Sequence, residues 1–291
     1  MSVWDAIVQG IVQGITEFLP ISSDGHLSLV QHFTGTVSES SLLFTVLLHL
    51  GTVFAVFFVF RRLIGDLILE FFHMIRDVIK GRFRWKTMSV TRRMVVMIVV
   101  AELPLFAFLP LKDLFSHWSQ DGDIVVEGVC FLATGCLLMM GHWAGKRGGN
   151  KTISTSDSLI IGAFQGLAAL PGVSRSGSTI ATGLFLGLPK QYAVQFSFVM
   201  GLPAILAANV LEIGDAVEQS TAIDWTPVLV GVLVAAVVGF FAIKALELLV
   251  QKDKMNVFGI YCLVLGLLVL LEGLYEHAAG RTIFQALTAQ S

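Results

Sequence analysis

Charge is scarce in this chain. Only 14% of its 291 residues are Asp, Glu, Lys or Arg, against 55% hydrophobic ones, and the mean hydropathy is +0.80. That is too apolar for an ordinary soluble domain and reads as an integral membrane protein. The net charge of −2 says little, because in a membrane protein the placement of charge decides orientation. Cysteine is scarce too. Cys130, Cys136 and Cys262 sit inside apolar runs without CxxC spacing, which points to reduced packing residues rather than a metal site. The N-terminus has no basic region ahead of its first apolar stretch, so a cleaved signal peptide is not expected.

What is abundant is long apolar sequence. Six stretches are long enough to cross a bilayer: Leu42–Phe60, Met94–Leu111, Ile124–Gly141, Tyr192–Leu211, Pro227–Ile243 and Met255–Leu274. The basic residues assign their sides. Arg61 to Arg93 hold nine of the 19 Lys and Arg, and Lys146, Arg147, Lys151, Lys190, Lys244, Lys252 and Lys254 fall in loops on the same side. The opposite loops carry only Lys112 and Arg281, beside Asp121, Asp123, Glu212, Asp215 and Glu218. The positive-inside rule then places both termini outside. Between the first two spans, Ile64, Leu67, Ile68, Phe71, Ile75, Val78 and Ile79 recur at helical spacing opposite Asp66, Glu70, Arg76, Asp77 and Lys80. This predicts an amphipathic helix lying on the membrane surface.

Two further apolar regions are interrupted. Val3 to Phe33 breaks at Pro20-Ile21-Ser22-Ser23-Asp24-Gly25, and Leu159 to Leu188 breaks at Pro171-Gly172-Val173-Ser174-Arg175-Ser176-Gly177. Each half is too short to span, since a crossing needs ~20 residues. Both regions therefore read as re-entrant helix–loop–helix hairpins. QGITEFLPISSDGHL and QGLAALPGVSRSGST resemble each other, each is followed by three spans, and one hairpin enters from each side. The expected fold is an all-α polytopic membrane protein: one membrane domain of six transmembrane helices and two hairpins. Residues 1–143 and 157–275 form an inverted-topology repeat whose site lies near the midplane.

The breaks also hold the chemistry. Ser and Asp after each proline are good N-caps, so two helix N-termini face one cavity and make an anion site suited to phosphate. Arg175 is a forked cation in an otherwise apolar stretch, with Ser22, Ser174, Ser176 and Thr179 as hydroxyl donors around it. Gln13 and Glu17 are four residues apart and share a helix face at its negative end, which suits a Mg²⁺ or Ca²⁺ site with Asp24 as an extra ligand. His26 and Ser23 are rival nucleophiles, and His26 can alternatively act as a general acid. His49 in LLHLGT and Glu102 in AELP are intramembrane polar residues that either brace the hairpins or take part in the reaction.

These motifs resemble a known family. Gln13-Gly-Ile-Thr-Glu17, its continuation through Phe18-Leu19-Pro20, Ser22-Ser23 and Gly25-His26, and Pro171-Gly172-Val173-Ser174-Arg175-Ser176-Gly177-Ser178-Thr179 are similar to the two motifs of bacterial undecaprenyl-diphosphate phosphatases of the bacitracin-resistance type. The resemblance covers nearly the whole chain. It departs at Asp24, where the family often has Thr. It implies hydrolysis of undecaprenyl diphosphate to undecaprenyl phosphate and phosphate, which recycles the lipid carrier for peptidoglycan synthesis and confers bacitracin resistance. It further implies a divalent metal, a bacterial plasma (inner) membrane location and a site reached from the outer face. It suggests that Glu17 works with Gln13, that Arg175 holds phosphate, and that His26 or Ser23 attacks. The expected partners are a polyprenyl diphosphate lipid and membrane lipids, with a homodimer as an open option and no nucleic acid. Two rivals stand beside this reading. Broken helices in inverted repeats also suit a transporter or lipid flippase. A type 2 phosphatidic acid phosphatase would need a Lys–Arg motif and a late His–Asp pair, which are not found.

Overall fold

The computed structural model describes residues 2–34, 39–111, 114–115, 123–218 and 225–280. Among these residues the only regular structure is helical. Of the loop charges used above to assign sides, Lys112, Asp121 and Arg281 lie outside the described residues.

Two pairs of short helices stand where the breaks were read. The first is α1 (Val3–Thr16) and α2 (Ser23–Thr34), and the second is α8 (Thr155–Leu167) and α9 (Arg175–Phe185). At 1.5 Å per residue each is about 20 Å long or less, against a hydrocarbon core of about 30 Å. Both pairs open with a capping box. Ser2 and Asp5 cap α1, and Ser154 and Asp157 cap α8. The Ser2 hydroxyl and amide hold the Asp5 carboxyl below the usual carboxylate range.

The longer helices are α3 (Glu39–Val59), α4 (Arg61–Ile79), α5 (Val90–Glu102), α7 (Val125–Lys146), α10 (Lys190–Glu218), α11 (Trp225–Gln251) and α12 (Met255–Ala279), with the single turn α6 (Leu105–Phe108) after α5. Among the described residues four segments have membrane length and apolarity: Val90–Leu111, Val125–Lys146, Trp225–Gln251 and Met255–Ala279. The two other expected spans fall on α3, where Val46–Val59 is a shorter apolar helix, and on α10. The expected Met94–Leu111 span falls within Val90–Leu111, with a turn at Leu103 and Pro104 between α5 and α6, where proline has no N–H to donate. Pro203, by contrast, lies inside an unbroken α10.

The amphipathic reading of α4 holds. Ile64 and Leu67 are buried, while Ile68, Phe71, Phe72, Ile75, Val78 and Ile79 are exposed apolar side chains. Arg92 of α5 pairs with Glu70 and, at 2.9 Å, with Asp77, which fixes the polar face of α4 against α5.

The packing partners alternate between the two halves. α1 packs on α11 and α8 packs on α5; α9 packs on α7, while α2 reaches α12 through His32–Glu276 at 3.1 Å. α7 also packs along α12, and α3 along α10. The two short-helix pairs are thus each held mainly by helices from the other half of the chain, which brings their turns together.

Candidate active site

The two turns meet through glycine. A Cβ on Gly25 would lie 2.7 Å from Gly172 Cα and 2.7 Å from Phe131 Cζ, so a side chain there would force the turns apart. Gly172 has φ +91°, a conformation that favours glycine. Thr134 of α7 fastens this second turn. Its hydroxyl donates to the Gly172 carbonyl at 3.1 Å and accepts from the Ser174 amide at 3.2 Å.

Glu17 stands at the junction as the C-cap of α1 and is buried at 7% exposure. Its Oε1 accepts from Arg175 Nη2 at 2.7 Å. Its Oε2 accepts from Gln13 Nε2 at 3.1 Å and from Ser23 Oγ at 2.9 Å. His49 Nε2, from α3, is 3.5 Å from the same oxygen and 4.0 Å from Asp24 Oδ1. Groups from α1, α2, α3 and α9 therefore converge on one carboxylate.

Arg175 is the first residue of α9. It lies against Gly201 of α10, where any Cβ would collide with the guanidinium. Only one end of its fork is used. Nη1 is buried and has no hydrogen-bond partner among the described residues.

Ser22 sits at φ +70°, which a non-glycine residue adopts at a cost and which clusters at functional sites. Local bonds hold it there: its hydroxyl accepts from Gly25 N at 3.3 Å, and its carbonyl accepts from His26 N at 3.3 Å and from His26 Nδ1 at 2.6 Å. His26 Nε2 is 2.6 Å from the Tyr261 hydroxyl, and the two rings stack at 5.7 Å with 7° between their planes.

The expected residues thus divide. Gln13, Glu17, Ser23, Asp24, His49 and Arg175 come together. Ser174 is the N-cap of α9, accepting from Gly177 N at 3.0 Å, with the Ser176 hydroxyl 3.4 Å from its own. The Thr179 hydroxyl donates back to the Arg175 carbonyl at 2.8 Å and meets Ser197 at 2.5 Å. Ser174, Ser176 and Thr179 thus bond within their own hairpin and to α10 rather than to Glu17. Glu102 accepts from Gln165 Nε2 at 3.3 and 3.4 Å, which joins α5 to α8.

A divalent ion at Gln13, Glu17 and Asp24 would have to displace protein donors from the Glu17 carboxylate. Both Glu17 oxygens serve protein donors, with a guanidinium on one of them. Among the described residues no three His, Cys, Asp or Glu side chains group as metal ligands.

Tyr261, Thr134 and Ser197 were not singled out from sequence. Each is a lone hydroxyl in an apolar run, and the signal that could have drawn attention to Tyr261 is its polar tip in an otherwise greasy helix.

A family model described as bacitracin resistance protein BacA matches residues 6–268. An undecaprenyl-diphosphatase of Alkaliphilus metalliredigens (strain QYMF) is 40% identical over 278 residues, 94% of this chain and 100% of that protein. One from Methanobrevibacter smithii is 37% identical over 271 residues, 92% of this chain and 97% of that protein. One from Desulfosudis oleivorans is 40% identical over 263 residues, covering 89% and 94%. With the match extending through both turns and the helices that carry them, the chain belongs to the bacitracin resistance protein BacA family.

Proposed function

We propose that this protein is an integral membrane undecaprenyl-diphosphatase that hydrolyses undecaprenyl diphosphate to undecaprenyl phosphate and phosphate, recycling the lipid carrier for peptidoglycan synthesis. The observation that carries the reading is the Glu17 junction: one buried carboxylate bonded both to a hydroxyl, Ser23, and to a cation, Arg175. Relatives named undecaprenyl-diphosphatase, aligned over most of their length, support the same assignment.

Residue roles follow from the contacts. Ser23 Oγ is the nucleophile. It forms a bond to the terminal phosphorus while its proton passes to Glu17 Oε2, and the bridging oxygen leaves with undecaprenyl phosphate. Water then cleaves the phosphoserine. Arg175 Nη1, the unused end of the fork, takes a phosphate oxygen, and the N-termini of α2 and α9 add backbone N–H groups for the developing charge. The Ser174 cap sets the start of α9 and hence the place of Arg175, with Ser22, Ser176 and Thr179 shaping the two turns. Ser23 is favoured over His26 because both nitrogens of His26 are engaged elsewhere. A transporter needs no such carboxylate–hydroxyl bond.

Six spans, two re-entrant hairpins and an inverted repeat of residues 1–143 and 157–275 complete the reading. The reciprocal pairing of α1 with α11 and of α8 with α5 supports it. With the termini outside, the first hairpin enters from the outer face of the plasma membrane, where the lipid diphosphate would arrive. The divalent ion, held by Glu17 and Gln13 with Asp24, and the homodimer stay proposals, and no step above runs through a metal.

The test is a rapid quench with substrate labelled in its terminal phosphate. Label trapped on Ser23, and lost in Ser23→Ala, is expected; label on His26 would overturn the assignment.

A further inference from the structure

Tyr261 lies on α12, more than 230 residues from the first turn, yet its hydroxyl reaches His26 Nε2 at 2.6 Å. The chemistry of the imidazole gives this contact a direction. His26 Nδ1 is 2.6 Å from the Ser22 carbonyl, which only accepts, so Nδ1 carries a hydrogen. In the neutral ring Nε2 is then the acceptor, and Tyr261 donates to it. The ring plane is set by stacking on Tyr261 and by an edge contact with Phe131, whose centroid is 5.3 Å away.

The other end of this chain of contacts is the nucleophile. The carbonyl that His26 holds belongs to Ser22, the residue strained at φ +70°, and the next residue is Ser23, whose hydroxyl meets Glu17 at 2.9 Å. We propose that Tyr261 is a positioning residue for the reaction: by fixing the tautomer and plane of His26 it holds the Ser22 carbonyl, keeps the strained turn, and aims Ser23 at Glu17. The proposal rests on the phosphatase reading for its rate consequence. The Tyr261–His26 link stands on geometry alone.

Tyr261→Phe removes the hydroxyl and keeps the stacked ring, so the helix and its packing survive. Two readouts on purified protein in detergent separate the outcomes. The first is the ¹⁵N spectrum of His26, assigned with His26→Gln. Wild type is expected to show a single Nδ1–H tautomer with a hydrogen-bonded Nε2, and Tyr261→Phe a shifted or averaged pair of signals. The second is phosphate release from a C55 prenyl diphosphate, where kcat is expected to fall about five- to tenfold with KM unchanged, the size of one neutral hydrogen bond. An unchanged His26 spectrum overturns the proposal whatever the rate does. A changed spectrum with unchanged kcat overturns the positioning role. If wild type releases no phosphate, the phosphatase reading fails, and the spectrum still decides the Tyr261–His26 link. Tyr261→Leu, which also removes the stacked ring, should lower kcat at least as far. A Leu variant more active than Phe would overturn the argument.

Discussion

Removing Arg175 should damage the junction in a way that a second substitution repairs. The Arg175–Glu17 bond is 2.7 Å long, Glu17 is 7% exposed, and the Arg175 side chain is 18% exposed. Breaking a buried ion pair by deleting one partner typically costs 3–5 kcal/mol, because a charge is left in a poor solvent. Glu17 would keep Gln13, Ser23 and His49 around its other oxygen, so Arg175→Ala is expected at the low end, about 3 kcal/mol. Glu17→Gln leaves the partly buried guanidinium with a neutral amide in place of its counter-charge and should cost a similar amount. The double variant removes both charges, so its cost should fall short of the sum by about 1–3 kcal/mol, the range for coupled neighbours. Equilibrium unfolding of the four proteins in one detergent measures this cycle. Costs that add to within about 0.5 kcal/mol would refute the idea that the pair joins the two hairpins. Activity should vanish in all three variants. Arg175→Lys should recover stability better than activity, since a point charge restores the pair without the fork that reaches phosphate.

Three other outcomes follow from the same geometry. Thr134→Val breaks the bonds to Gly172 and Ser174 and should cost about 1–3 kcal/mol, read by unfolding, because it leaves a buried carbonyl and amide unpaired; an unchanged midpoint would mean the second turn needs no fastening. Gly25→Ala should lower activity well beyond its effect on stability, because its Cβ must push Gly172 and the second turn away from Glu17. Chelation with EDTA is expected to abolish phosphate release and Mg²⁺ or Ca²⁺ to restore it; full activity in EDTA would remove the metal from the account.

Much of the fold was readable because its breaks are written in residue chemistry. Pro20 and Pro171, with Ser and Gly after them, place both interruptions within a few residues of where α2 and α9 begin. Gln13 and Glu17 fall on one face simply because they are four apart on a helix. The turn after Glu102 was not legible, since an average over an apolar window hides a single proline. Distance in sequence hid more. Nothing local to Arg175 says that its partner is Glu17, 158 residues earlier, or that one end of its fork stays unused. Tyr261 and Thr134 were invisible for the same reason: a hydroxyl in an apolar helix has meaning only once the opposing turn is in place. The phosphate donors show the converse. Ser174, Ser176 and Thr179 sit in the right motif, but capping and Ser197 already use their hydroxyls.

The most direct measurement is phosphate release from a C55 prenyl diphosphate by the purified protein, run beside Glu17→Ala, Ser23→Ala and Arg175→Ala. Release by wild type that disappears in all three variants, with each still folded, is the predicted result. Release that persists in the folded Glu17→Ala protein, or no release by wild type under any condition, would contradict the claim that the joined turns form a phosphatase site.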